Sequence, residues 1–589
     1  MKAFFKQVLA VIVGMIVVGG FFMVISFVML VSMLTIGSSS STTEVKEGSV
    51  LHLDLSGTIE ERSVSNPLND YFGAATQEQG LNDILAAIRV AADDDRIKGI
   101  YIEGGALSAD FASLEEIHRA LNDFKQNSGK FIVAYGDSYT QGAYYLASTA
   151  DSVWLNPEGM LDWHGIASQP IFYKELLDKI GVKMQVFRVG TYKSYVEPYT
   201  RTDMSEANRA QVQSFIDDIW KHICSDVSDS RQLPVDSLQA YADRYTALAP
   251  AESYVTGRLV DRLTYVDEVR DRLRALAKTK KLHLVGVGDL AALDTAGNAK
   301  EGEVAVYYAY GGIVGAEGEG LTGEGHSIVG PQVVEDLDRL ANDSNIKAVV
   351  IRINSGGGSA YASEQMWRAI QLLKKKKPVV VSMGGMAASG GYYMACGADY
   401  IVAEPTTLTG SIGIFGMVPD ATGLLTQKLG LHFDVVKTNE ASDFGAMGRA
   451  FNDGESRAMQ AYVDRGYALF LRRVAAGRRM TTDRVDSIAQ GRVWTGQQAL
   501  KLGLVDSLGT LRDAIAVAAR RAHIQQYALT EQPVQGDWWD DLLNRYRSDY
   551  MENRVRTVLG EYYQPLRFAA SLQGRDCLQA RMPFEPHLR

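Results

Sequence analysis

Two short glycine-rich stretches carry the residues best suited to covalent chemistry. Asn354-Ser355-Gly356-Gly357-Gly358-Ser359 directly follows the apolar run Ala348 to Ile353, and Ala387-Ala388-Ser389-Gly390-Gly391 follows the run Val379 to Met383. If both runs are strands of one parallel sheet, the loops meet beyond the strand C-termini, where open α/β sheets bind their ligands. Glycines there let backbone N–H groups approach a ligand closely. Such a pair of loops can form an oxyanion hole, and Ser389 at the start of a helix places its hydroxyl at the positive end of the dipole. Small residues also serve tight packing, so the pattern alone leaves a purely structural reading open.

A serine nucleophile needs a base. The nine histidines are His52, His118, His164, His222, His283, His326, His432, His523 and His587, and none sits in a glycine-rich turn beside a matching carboxylate motif. Spacing therefore lends no support to a Ser-His-Asp triad. A lysine base is the remaining option, and it must be largely neutral near pH 7, which requires burial or nearby cations to lower its pKa.

The elements that position these groups occur twice. Arg96-Ile97-Lys98-Gly99-Ile100-Tyr101-Ile102 recurs as Asn345-Ile346-Lys347-Ala348-Val349-Val350-Ile351, and Gly142-Ala143-Tyr144-Tyr145-Leu146-Ala147 recurs as Gly390-Gly391-Tyr392-Tyr393-Met394-Ala395. Arg258 to Leu263 echoes Gly503 to Leu508 in the same order, at a spacing of about 250 residues, the size of one α/β domain. Short β-branched runs alternate with amphipathic stretches such as Leu114 to Phe124 and Glu364 to Lys374, which predicts a parallel sheet wrapped by helices in each half. The four lysines Lys374 to Lys377 read as a solvated helix end stopped by Pro378. The first half aligns Gln141 with Ser389 and keeps little of the glycine run in Gly104-Gly105-Ala106-Leu107-Ser108, so it has lost the nucleophile.

The 589 residues, 46% hydrophobic and 22% charged, exclude wholesale disorder, a collagen-like fibre and a polytopic membrane protein. A formal charge of −10 argues against nucleic acid as the main partner. Cys224, Cys396 and Cys577 are too few and too scattered for a disulfide framework or a CxxC metal knuckle. After Lys2 and Lys6, the stretch from Val8 to Ile36 carries no charge and exceeds the roughly 20 residues that cross hydrocarbon. It is too long for a cleaved signal peptide. The lysines before it should stay in the cytoplasm, which puts the chain after Ser38-Ser39-Ser40-Ser41 across the membrane. From about Gln535 the chain is rich in Trp, Tyr and Arg and reads as a helical tail.

Ser382 to Tyr392, Leu408-Thr409-Gly410-Ser411-Ile412-Gly413-Ile414-Phe415-Gly416, Gln490-Gly491-Arg492-Val493-Trp494-Thr495-Gly496 and Gly190-Thr191-Tyr192-Lys193-Ser194-Tyr195 together resemble the long, duplicated form of the signal peptide peptidase A family. The resemblance covers nearly the whole chain after the anchor. It implies an α/β fold of two tandem ClpP/crotonase-like domains after an N-terminal transmembrane helix. The implied division is 1–40 for cytoplasmic N-terminus and anchor, 41–295 for the repeat that supplies the lysine, 296–530 for the repeat that supplies the serine, and 531–589 for the helical tail. It implies Ser389 as nucleophile, Lys193 as general base, Ser411 as the serine that orients the lysine, and the amides of Gly390 and Gly357 as the oxyanion hole. Tyr192, Tyr195, Val196, Pro198 and Tyr199 could desolvate the amine, and the second half, Lys437 to Phe444, has no lysine at the corresponding place. The implied protein is a membrane-anchored serine endopeptidase that degrades remnant signal peptides at the outer, periplasmic face of the bacterial inner membrane. Neither metal nor organic cofactor is expected. Its partners would be peptides, the bilayer through residues about 8–36, and its own copies in a homotetramer. The family's loop has proline where this chain has Gly356, which leaves the loop less stiff. Two rival classes are an acyl-CoA enzyme, opposed by a domain placed away from cytosolic coenzyme A, and a scaffold whose glycine loops are structural only.

Overall fold

The computed structural model describes residues 20–23, 25, 45–63, 78–294, 299–316, 326–534 and 578–582. Two units repeat one plan within it. In the first, Ser49–Glu60 pairs in parallel with Ile97–Ser108, followed by Phe131–Tyr139, Ser152–Leu161 and Arg262–Leu263. In the second, Glu303–Tyr310, Ile346–Ser355, Val379–Ala388, Tyr400–Ala403 and Ser507–Leu508 follow in the same parallel order. Within Ile346–Ser355 and Val379–Ala388 successive residues are buried, as in a sheet covered on both faces. Val349 and Ile351 join one buried cluster, while Ala348 and Val350 join another across the sheet.

The helices repeat as well. Phe111–Ser128 corresponds to Ala360–Leu373, and Gln141–Ala147 to Gly390–Ala395. Glu206–Arg231 corresponds to Asp453–Arg478, each of 26 residues. The helix expected around Leu114 to Phe124 extends further at both ends. Asp110 caps it by accepting from the Ser113 amide, and Gly129 ends it in the left-handed conformation. The second ends at Leu373, so the lysine run lies just beyond it, with Lys374 and Lys377 donating to backbone carbonyls.

A third sheet joins the two units. Its order is Ser327–Val329, Gly312–Val314, Gly357–Ser359, Leu578–Arg581, Phe415–Asp420 and Lys183–Arg188. The last pairing is antiparallel and runs from Phe415 opposite Arg188 to Asp420 opposite Lys183. It carries the first unit's chain onto the second, five residues short of Lys193.

Two expectations about the tail need correction. The division at 530/531 cuts the strand Ala528–Gln532, which pairs in parallel with Glu303–Tyr310 and belongs to the second unit's sheet. The other described part of 531–589, Leu578–Arg581, is a strand and not a helix. Both segments find unpaired sheet edges supplied by distant chain, and such tertiary partners override local propensity. The rest of the expected helical tail lies outside the described residues. So does the expected span at about 8–36, apart from Gly20–Met23 and Ile25, which are helical and exposed. Among the described residues no helix is long and apolar enough to cross a membrane.

Candidate active site

Ser389 lies between the strand Val379–Ala388 and the helix Gly390–Ala395, at φ 53° and ψ −109°. For a residue with a Cβ this is a sparsely populated conformation, costing about 1–3 kcal/mol, and such strain clusters at functional sites. The turn is held by the Ser389 amide donating to the Gly410 carbonyl at 2.8 Å. Ser411 also has a positive φ, 47°, and its amide donates to the Arg492 carbonyl at 2.7 Å. Both serines are fully buried.

Lys193 reaches them from the first unit. Its Nζ lies 2.6 Å from Ser389 Oγ and 3.0 Å from both the carbonyl oxygen and the Oγ of Ser411. The residue has no exposed surface, and this burial holds the ammonium pKa well below the usual lysine range. Its hydrogen-bond partners are a carbonyl and two hydroxyls, none of them a carboxylate that would favour the charged form. A neutral amine has two N–H donors and one lone pair. With the donors given to the Ser411 oxygens, the lone pair is left for the Ser389 hydroxyl. The geometry suits proton abstraction from Ser389.

Several groups that spacing did not single out hold this arrangement. Gly491, at φ +79°, passes so close to the lysine that a Cβ there would lie 2.6 Å from the Lys193 backbone nitrogen and 2.7 Å from its Cα. Gln211, on the helix Glu206–Arg231, donates to the Tyr192 carbonyl at 3.0 Å and to Ser194 Oγ at 2.9 Å, and accepts from the Val493 amide at 3.2 Å. It thus ties the lysine segment to the second unit. Gly491 falls within the run Gln490 to Gly496, whereas nothing in the helical pattern marks Gln211.

The first glycine loop is pinned from the other unit. Asn354 Nδ2 donates to Glu61 and Asp110, both at 3.0 Å, while its Oδ1 accepts from the Met386 amide at 3.0 Å. Gly357 has φ +99°, and a Cβ there would lie 2.7 Å from the Gly390 amide nitrogen and 2.0 Å from the Ala580 carbonyl oxygen. The two expected oxyanion glycines are therefore brought together, with a carbonyl oxygen beside them. The Gly357 amide itself donates to Ser355 Oγ at 3.1 Å.

The corresponding place in the first unit is filled. Gln141 is fully buried, accepts from the His164 and Gly165 amides at 3.0 and 2.9 Å, and donates to the Gly165 carbonyl at 3.1 Å. An amide side chain satisfied on both ends has taken the place of a reactive hydroxyl.

The sequence matches Peptidase family S49 twice, over residues 124–280 and 371–525, and Clp protease over residues 320–407. It is 37% identical to "Protease 4" of Salmonella typhi, over 93% of this chain and 89% of that protein. "Protease 4" of Haemophilus influenzae is 34% identical, over 86% of this chain and 84% of that protein. "Serine protease SPPA, chloroplastic" of Arabidopsis thaliana is 33% identical, over 82% of this chain and 70% of that protein. With two S49 matches, relatives of this extent and a ClpP-like unit present in duplicate, this chain belongs to peptidase family S49 and is a serine protease.

Proposed function

We propose that this protease works through a Ser-Lys dyad shared between its two units, with Ser389 as nucleophile and Lys193 as general base. The observation that carries the reading is the 2.6 Å approach of a buried amine, paired with no carboxylate among the described residues, to the hydroxyl of a strained serine. Lys193 takes the Ser389 proton as Oγ attacks the peptide carbonyl. The amides of Gly390 and Gly357 receive the oxyanion, for which the Gly357 amide turns from Ser355. The lysine then protonates the leaving amine, and water hydrolyses the acyl-enzyme. Ser411 keeps the amine's donors occupied and its lone pair directed. The first unit supplies the base and the second the nucleophile, so each unit is incomplete alone.

The substrates we infer are remnant signal peptides and other apolar peptides, cut at the outer face of the bacterial inner membrane. Three considerations support this: the uncharged stretch at about 8–36, the two lysines before it, and likeness over 180 residues, at 34% identity, to a "Putative signal peptide peptidase SppA" of Enterococcus faecium. Residues 1–40 would form the anchor, and the same family resemblance extends to a homotetramer. Ser389→Ala and Lys193→Ala should each abolish hydrolysis of an apolar peptide while leaving assembly intact in sedimentation. Appreciable turnover by either purified variant rejects the dyad.

A further inference from the structure

The chain as a whole carries a formal charge of −10, yet one surface of the first unit is strongly basic. Between Arg270 and Lys281 the cations are Arg270, Arg272, Arg274, Lys278, Lys280 and Lys281, against the single carboxylate of Asp271. The helix Val266–Leu276 buries Val269 and Leu273, and Ala277 follows at the same spacing, in one cluster with Val50, Val133 and Tyr135 of the sheet. That stripe takes the inward face, so the arginines between its members turn to solvent. Arg270, Arg272, Lys278, Lys280 and Lys281 are exposed, and among the described residues none of them lies in an ion pair. Asp271 is paired with Arg274.

This surface is where the N-terminal segment joins the fold. Gly48, at φ +82°, lies against the end of the basic run: a Cβ there would sit 3.3 Å from Thr279 Cβ and 3.5 Å from the Ala277 carbonyl oxygen. Lys46 beside it is exposed, and nearby carboxylates are engaged, Glu47 with Lys98 and Asp94 with Arg96. With residues up to 36 in the bilayer, only residues 37–44 separate the span from Val45, and fully extended they reach at most roughly 30 Å. Any bend in that tether brings the cations closer, toward the distance of about 8 Å over which charge is felt in physiological salt. Being remote in sequence from the span, these cations lie outside the charge bias that sets its orientation.

We propose that the surface formed by Arg270, Arg272, Lys278, Lys280 and Lys281, with Lys46, docks on the anionic phospholipid headgroups of the leaflet from which the anchor emerges, and so fixes which side of the first unit faces the bilayer. The proposal rests on the reading of residues 1–40 as an anchor. Clusters of about four to eight lysines or arginines beside a span are drawn to anionic headgroups in this way. A molecule of net negative charge is repelled by such a leaflet on most of its sides, so a local excess of cations at the tether selects one of them. Both side chains donate to phosphate oxygens, arginine as a planar fork. The cations are spread along a helix face and the segment after it, which suits several headgroups at once.

Amine acetylation read by mass spectrometry, on the full chain in lipid nanodiscs of phosphatidylcholine alone or with one third phosphatidylglycerol, tests this. Lys278, Lys280 and Lys281 should react at least threefold more slowly in the anionic discs, and about 0.5 M salt, which shortens the screening length to roughly 4 Å, should remove the difference. Lys221, on the helix Glu206–Arg231 that packs on the other face of the same sheet, should react alike in both. A combined variant, Arg270→Gln, Arg272→Gln, Lys280→Gln and Lys281→Gln, should still enter the discs and cut a soluble apolar peptide, with Lys278 reacting equally in both. Protection of Lys278 kept in that variant overturns the assigned residues. Equal rates for the wild-type lysines in the two discs overturn the proposal and leave the anchor standing. Slowing of the same size by soluble glycerol phosphate in neutral discs identifies a site for free anions and overturns the membrane assignment. A chain that enters neither disc removes the anchor, and this proposal falls with it.

Discussion

In the proposed dyad, Lys193 acts by being kept out of water. Desolvation lowers its pKa well below the ordinary value of 10.5, and that has opposite consequences for activity and stability. Only the neutral amine can accept the Ser389 proton, so kcat/KM should fall tenfold per pH unit on the acid side, with one ionisation. Between the lowered folded pKa and 10.5, the unfolded chain binds a proton that the folded chain does not, so stability rises with pH across that window. Lys193→Met should therefore abolish turnover yet raise Tm at neutral pH, and its advantage should shrink as pH approaches 10.5. Thermal melts of both proteins across that range check the sign. A buried lysine destabilises the fold that holds it, which accords with a functional reason for its place.

At the scale of elements, the site is assembled from strand ends and loops whose anchors come from elsewhere. The Ser389 turn follows the strand Val379–Ala388, the glycine loop follows Ile346–Ser355, and the lysine follows Lys183–Arg188, which pairs with the other unit. Gly356 is the loop's one departure from the related pattern. It is not among the glycines with positive φ, and a Cβ there would sit 3.6 Å from the nearest atom, Met582 Cβ, an ordinary contact. A proline ring fixes φ near −65°, and the backbone at Gly356 is not in the positive-φ region that would forbid it. Gly356→Pro should keep peptidase activity or raise it up to a few-fold, measured as kcat/KM on a soluble apolar peptide. A folded but inactive variant would contradict this account of the loop. These anchors also mark where sequence reading stops. The alternation of apolar runs and amphipathic stretches made the two repeated sheets legible, and glycines after apolar runs made Ser389 and Gly357 visible. Gln211, Asp110 and Glu61 gave no signal, because a polar residue on a helix or at a strand end acquires its role only from what tertiary folding brings opposite it. The strand at Leu578–Arg581 was misread as helix for the same reason.

In the whole molecule, the second unit depends on the first for the partners of a buried charge. Arg352 of the second unit is buried and donates to Glu61 at 2.8 Å and to Glu116 at 2.9 Å, both carboxylates belonging to the first. Burial raises the Glu61 pKa while Arg352 opposes that rise, so the pair is held by its geometry inside the interface. Removing one partner of such a buried group leaves uncompensated charge, at about 3–5 kcal/mol. Arg352→Met should destabilise the protein by that order in denaturant titration and loosen Asn354, which shares Glu61. A loss below about 1 kcal/mol would indicate that the units are held together mainly by the Lys183–Arg188 pairing and apolar contacts. The repeat was plain in the sequence, but the exchange of a strand between units was not, because each unit's pattern is self-consistent without it.

The claim that one unit's amine activates the other unit's hydroxyl is tested most directly by the rate at which a serine-reactive phosphonate labels Ser389, followed by mass spectrometry. The wild type should be labelled at Ser389, faster as pH rises, and Lys193→Met should be labelled at least a hundredfold more slowly although its serine is intact. Labelling of Lys193→Met at the wild-type rate would contradict the shared dyad.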